Sequence, residues 1–129
     1  LHDALPISLA AAILGAAFLG GAGSARAAEL VMFETAGCPW CVYWKREIAP
    51  KYPKTDEGKA APLRLVDMRA ERPLDLAALD PVKAAPTFVL MHDGREVGRI
   101  VGFPGEDFFW PMLAQLLEKV PGSGFAALH

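Results

Sequence analysis

The chain holds two cysteines, Cys38 and Cys41, separated by Pro39 and Trp40. That spacing fits one helical turn. Pro39 suits the first helical position, where its missing N–H is no loss. Cys38 then falls at the N-cap and Cys41 one turn in. An N-cap side chain accepts N–H bonds from the second and third helical residues, here Trp40 and Cys41. A thiolate sulfur gains those donors and the positive end of the helix dipole. Both favour the charged form, so Cys38 is expected to ionise more readily than a free thiol of pKa ~8.5. Cys41 should be more buried and less acidic. An asymmetric pair of this kind suits thiol–disulfide exchange. The exposed thiolate attacks a partner disulfide, and the second thiol resolves the mixed disulfide, leaving Cys38–Cys41 oxidised.

Other uses of the pair fit less well. An inert disulfide would close a loop of a few residues and stabilise little. A zinc site usually needs four Cys or His ligands, and besides the pair only His92 and His129 follow residue 27. A c-type haem site needs a histidine directly after the second cysteine, where this chain has Val42. Redox chemistry is the preferred reading, with the Cys38–Cys41 disulfide as its own redox centre and no cofactor or metal.

The surrounding pattern places the pair. Leu30-Val31-Met32-Phe33 is a short apolar run between Glu29 and Glu34, which reads as a buried strand. A helix is expected from Pro39 to about Ile48, ended by Pro50. Lys51 to Pro62 reads as a polar loop, with Pro53, Asp56 and Gly58 as breakers. Leu63 to Val66 is a second strand. Leu74 to Leu79 makes one or two helical turns between Pro73 and Pro81. Thr87 to Met91 and Glu96 to Val101 form a hairpin about Asp93-Gly94, a strong two-residue turn signal. Phe109, Met112, Leu113, Leu116, Leu117 and Val120 make one apolar helix face. Pro111 places the start of that helix near Trp110, with Gly105 to Phe109 as a separate turn. Pro121 to His129 reads as a frayed, flexible tail. A strand–helix–strand unit, an antiparallel hairpin and a closing helix imply an α/β domain, a mixed sheet with helices on both faces.

The 129 residues suit one domain, and a net charge of -2 without a basic stripe excludes a nucleic-acid binder. From Ala4 to Ala25 no residue is charged, and Ala25-Arg26-Ala27 follows an Ala- and Leu-rich stretch. Residues 1–27 therefore read as a secretory signal peptide with an A-x-A cleavage site. The rival is an uncleaved membrane anchor, but Gly15, Gly20, Gly21 and Gly23 break the ~20 apolar residues a span requires. Either reading puts the domain, residues 28–120, outside the cytoplasm, in the periplasm or an equivalent compartment where disulfide chemistry is permitted. Membrane contact follows only if the leader stays attached.

The strand, Cys38-Pro39-Trp40-Cys41 and its helix, then Ala85-Pro86-Thr87 before a strand, Asp93-Gly94, and Gly102 before the last helix resemble the thioredoxin-like superfamily over about Glu29 to Val120. The spacing from Cys41 to Pro86 leaves no room for the large helical insertion of the DsbA type. The resemblance implies that Pro86 is cis, facing the reactive pair, against the alternative of a trans proline opening a strand. It further implies that Ala85, with Thr87 beside it, lets a substrate segment pair beside Cys38 as an added strand. Departures are also present. The thioredoxin Trp-Cys-Gly-Pro-Cys sequence is absent, and Pro39-Trp40 resembles the glutaredoxin pair more. The buried acid that assists thioredoxins falls at Met32, so Glu34 or water must take the proton from Cys41, or that step is slower. Asp93-Gly94 and a long return strand replace the Gly-Gly and acidic turn of glutaredoxins, which disfavours glutathione dependence.

Met32-Phe33-Glu34, Glu47-Ile48-Ala49-Pro50, Thr55-Asp56-Glu57-Gly58 and especially Gly105-Glu106-Asp107-Phe108-Phe109-Trp110-Pro111-Met112-Leu113 resemble a narrower group. These are the periplasmic thioredoxin-like proteins encoded with bacterial sulfur-oxidation (Sox) genes. That resemblance implies reduction of a cysteine on the sulfur carrier SoxYZ, electrons from a membrane thiol transducer of the CcdA or DsbD kind, and a monomer. Sequence leaves the direction of electron flow open, so an oxidase or isomerase stands as the alternative, and a non-catalytic thioredoxin-fold module as a second class. Among the remaining residues, Trp40 is expected beside Cys38 as a partner contact together with Pro39. Tyr43 and Trp44 read as packing, Phe108 and Trp110 as core or cap packing in preference to a partner patch, and His92 as a surface residue.

Overall fold

The computed structural model describes residues 28–125. The proposed leader, residues 1–27, and the last residues of the tail, 126–129, lie outside the described part. Four strands form one mixed sheet: β1 (Glu29–Glu34), β2 (Leu63–Asp67), β3 (Thr87–His92) and β4 (Arg95–Val101), in the order β2-β1-β3-β4. β1 and β2 are parallel, from Leu30↔Leu63 to Glu34↔Asp67. Parallel neighbours require a crossover, and α1 (Pro39–Glu47) lies in it. β3 runs antiparallel to β1, with Phe33 opposite Thr87, and β4 returns beside β3. Asp93 and Gly94 both have positive φ, 53° and 75°, as a two-residue hairpin turn of the favoured twist requires.

Strand alternation divides the core. Leu30, Met32, Phe88, Leu90 and Ile100 face a large cluster shared with α1 and with α3 (Glu106–Glu118). Val31, Phe33, Val66, Val89 and Met91 face a smaller one, covered by Leu76 and by Met68, Leu79 and Val82. The helical part of that cover is one 3-10 turn, Leu74–Leu76, shorter than the Leu74 to Leu79 segment expected.

Three departures from the sequence reading have physical causes. Lys51 to Pro62 is not a plain loop: a 3-10 turn at Tyr52–Lys54 leads into α2 (Asp56–Ala60). Thr55 caps α2, its Oγ1 accepting from the Gly58 N–H at 2.9 Å. Gly58 lies so close to the preceding turn that a Cβ there would stand 1.8 Å from the Tyr52 carbonyl oxygen. The glycine that reads as a breaker is thus the residue that lets the turn and helix meet.

α3 runs unbroken from Glu106 with Pro111 inside it, rather than starting near Trp110. Pro111 sits on the exposed side, as does Asp107, whose carbonyl loses its donor to the proline and can turn to water. The buried side, Phe109, Leu113 and Leu117, continues past it. The tail also differs from the frayed segment expected. Phe125 is buried, its N–H donates to Ser123 Oγ, and Ser123 Oγ–H donates to the Leu117 carbonyl.

Candidate active site

β1 ends at Glu34, and the chain turns through residues 35–37 into Cys38. Cys38 is the N-cap of α1 with an extended backbone (φ -97°, ψ 104°), and Pro39 opens the helix. The first intrahelical bond runs from the Val42 N–H to the Cys38 carbonyl at 3.1 Å. Of the two donors expected at the sulfur, Cys41 supplies one: its N–H donates to Cys38 Sγ at 3.1 Å. No bond from the Trp40 N–H accompanies it. The two cysteines are joined as a disulfide.

The order of burial is as expected, but Cys38 is less open than the sequence reading held. It keeps 8% of its surface and Cys41 1%. The exposed residues beside Cys38 are Ala36 and Gly37 before it and Pro39 and Trp40 after it. Trp40 is 57% exposed. Its ring meets Tyr43 edge-on at 5.8 Å and Phe103 at 6.1 Å. Tyr43 also meets Phe103, and Arg46 caps the Tyr43 ring at 5.7 Å. Pro39, Trp40, Val42, Tyr43 and Arg46 line a shallow groove on the outer side of α1. Tyr43 is therefore half-buried in a surface aromatic group, whereas Trp44 is wholly core, against Tyr52, Phe88 and Phe109.

The second predicted segment comes to the same end of the sheet. Because Thr87 pairs with Phe33, Pro86 falls opposite the end of β1 that leads into Cys38. Ala85 packs against the cluster that contains Cys38 and Cys41. The Ala85–Pro86 peptide bond is cis, and Pro86 is buried. Thr87 is buried, and its Oγ1–H donates to the Ala84 carbonyl at 2.6 Å. The Pro86 carbonyl accepts from the Gly102 N–H at 2.7 Å, which brings the Gly102-Phe103 corner to this rim.

Near the inner cysteine, Met32 is fully buried, and Glu34 is ion-paired with Lys45. Sequence reasoning missed Lys45, although its place four residues after Cys41 puts it on the same helix face. It also missed Phe103, whose part in the rim depends on the turn after β4. Phe108 is 65% exposed rather than packed. Trp110 does pack, stacking on Tyr52, and its indole N–H donates to Glu106. His92 sits half-buried at the hairpin, away from this end. Among the described residues no group of three or more His, Cys, Asp or Glu side chains could hold a metal ion.

A mixed sheet with a Cys-x-x-Cys pair at the start of the crossover helix defines a thioredoxin-like thiol–disulfide oxidoreductase, and the chain belongs to the thioredoxin-like superfamily. It is similar to the periplasmic thioredoxin SoxS of Paracoccus pantotrophus, at 53% identity over 71% of this chain and 97% of that one, with a TM-score of 0.67. The fold also matches Malassezia sympodialis thioredoxin, at 18% identity over 72% of this chain and 80% of that one, TM-score 0.57. Thioredoxin f2 of Chlamydomonas reinhardtii matches at 20% identity, over 70% and 80% of the two chains, TM-score 0.54. No family model matches, and no curated protein sequence does.

Proposed function

We propose that the chain is a periplasmic dithiol reductant whose partner is the sulfur carrier SoxYZ, and that a membrane thiol transducer of the CcdA or DsbD kind returns it to the dithiol form. The observation that carries this reading is the 53% identity to SoxS across nearly all of that protein. At that identity the two share far more than the fold.

In this reading Cys38 is the attacking thiol and Cys41 the resolving one. Cys38 thiolate attacks one sulfur of a disulfide on the carrier, and the other sulfur leaves as a thiolate that takes a proton. Cys41 loses its proton and attacks Cys38 Sγ. The carrier's remaining sulfur is released as a thiolate and the Cys38–Cys41 disulfide forms. Pro39 and Trp40 on one side and Ala85 on the other flank the partner segment, with Pro86 and Thr87 buried behind Ala85. Residues 1–27 act as the export signal that delivers residues 28–129 to the periplasm.

Changing Cys41 to Ser removes the resolving thiol and leaves Cys38 able to form only the mixed disulfide. Exported in a sulfur-oxidising host, this variant should accumulate a covalent adduct with a SoxYZ subunit, released by dithiothreitol and absent from the Cys38→Ser, Cys41→Ser double variant. Adducts that contain other exported proteins and no SoxYZ would overturn the partner assignment. A chain that stays in the cytoplasm would overturn the export assignment.

A further inference from the structure

β1 delivers its last residue to the side of the sheet on which α1 lies. Alternation puts Leu30 and Met32 on that side, in the cluster with Cys38 and Cys41, and Val31 and Phe33 on the other. Glu34 follows in the same alternation, and its pairing with Lys45 of α1 fixes the direction. Lys45 lies one turn beyond Cys41 on the same helix face. Carboxylate, ammonium and inner thiol thus share one strip between the strand end and the helix.

Two further observations give that strip a task. Cys41 keeps 1% of its surface, so bulk water has little access to its proton. Met32, the preceding residue on this side of β1, is fully buried and has no group that could accept one. Glu34 keeps 18% of its side-chain surface, enough to pass a proton onward to solvent. Among the described residues the other charged group beside it is Asp67, its neighbour on β2, which is exposed and accepts from the Arg69 N–H. Arg72 stands over Phe33 on the opposite side of the sheet, and β3 contributes only the uncharged Thr87 at this end.

We propose that Glu34 is the base that takes the proton from the Cys41 thiol, and that Lys45 is the residue that positions it. The inference rests on the reading of Cys38 as the attacking thiol. In the resolving step the Cys41 S–H bond breaks and the proton passes to a Glu34 carboxylate oxygen. The electron pair left on Cys41 sulfur forms the bond to Cys38 Sγ, and the partner sulfur departs as a thiolate. Lys45 keeps the carboxylate turned toward α1.

The test follows the reduced protein after mixing with dithiobis(nitrobenzoate) in a stopped-flow instrument. The first thionitrobenzoate released reports attack by Cys38, and the second reports resolution by Cys41. Glu34→Gln should leave the first phase unchanged and slow the second about a hundredfold, within the range of general-base effects. Lys45→Met should leave the first phase unchanged and slow the second, because the carboxylate has lost the partner that turns it toward α1, and Lys45→Arg should restore it. A second phase of wild-type rate in Glu34→Gln, or in Lys45→Met, overturns the proposal. Loss of the first phase in the wild-type protein would instead overturn the reading of Cys38 on which it rests.

Discussion

The amide N–H of Cys41 points at the sulfur of Cys38, 3.1 Å away, while the side chain of Cys41 is the more buried of the two. One residue thus stabilises charge on its partner and hides its own thiol. In the reduced protein, iodoacetamide should modify Cys38 with an apparent pKa below the ~8.5 of a free thiol. The Cys38→Ser variant should react at least tenfold more slowly at neutral pH, as its remaining thiol is covered. Mass spectrometry of samples quenched across pH reads both. Equal rates for the two cysteines would show that the cap does not act on Cys38.

Tyr52 fixes the turn after α1 to the end of α2. Its O–H donates to the Ala61 carbonyl at 2.6 Å, and both residues are fully buried. Removing the hydroxyl leaves that carbonyl without its donor, at a cost of about 1–3 kcal/mol. Tyr52→Phe should therefore unfold at lower urea with an unchanged m-value. Burial first, and the Glu57 carboxylate second, push the Tyr52 phenol well above its ordinary range. A group whose folded value is raised contributes stability that is present below its unfolded value and lost as pH rises beyond it. Wild-type stability should begin to fall near pH ~10, by at most ~1.4 kcal/mol per pH unit for this one proton, and Tyr52→Phe should lack that component.

On the edge strand β2, Arg64 holds Asp75 through two hydrogen bonds, 2.6 and 3.0 Å long. Those bonds, opposed by slight desolvation, keep the Asp75 carboxyl below the usual carboxylate range. A lowered folded value gives stability that is present above ~3.9, the unfolded value, and lost as pH falls through the folded one. Asp75 is exposed, so solvent screening makes the contribution small. Asp75→Asn should match the wild type at very low pH and be slightly less stable above pH ~5, with the gap narrowing in high salt. Paired urea titrations at the two pH values measure it.

What the sequence made legible follows from the range of the forces involved. The reactive turn, the Asp93-Gly94 hairpin and the apolar side of α3 are set by residues within one or two turns of each other, and each appears where its local pattern places it, except that Met112, expected on the apolar side of α3, is exposed. The segment from Lys51 to Pro62 was misleading because its helix depends on contacts absent from local pattern: Thr55 as cap, and Tyr52 drawn into the core against Trp44 and Trp110. Pro111 misplaced the start of α3 because the periodicity does not reveal that Asp107 faces water. At the site, the two cysteines were readable from spacing alone. Lys45 and Phe103 were not, since their roles come from the end of β1 and the turn after β4, which only the folded chain brings alongside α1.

Trp40 is held by Tyr43 and Phe103 yet keeps more than half its surface in water. A large ring left exposed beside the reactive turn buries little within the domain, so its removal should scarcely change stability, by less than ~0.5 kcal/mol. A protein partner reaching Cys38 must pass over it, whereas a small disulfide need not. Trp40→Ala should therefore reduce a small aromatic disulfide at the wild-type rate and a protein disulfide about tenfold or more slowly, the range of an aromatic contact residue. Insulin precipitation supplies a generic protein substrate, and a SoxYZ disulfide supplies the proposed one. An equal loss on small and protein disulfides would mean that the ring supports Cys38 rather than meeting the partner. A loss confined to SoxYZ would place Trp40 among the residues that select it.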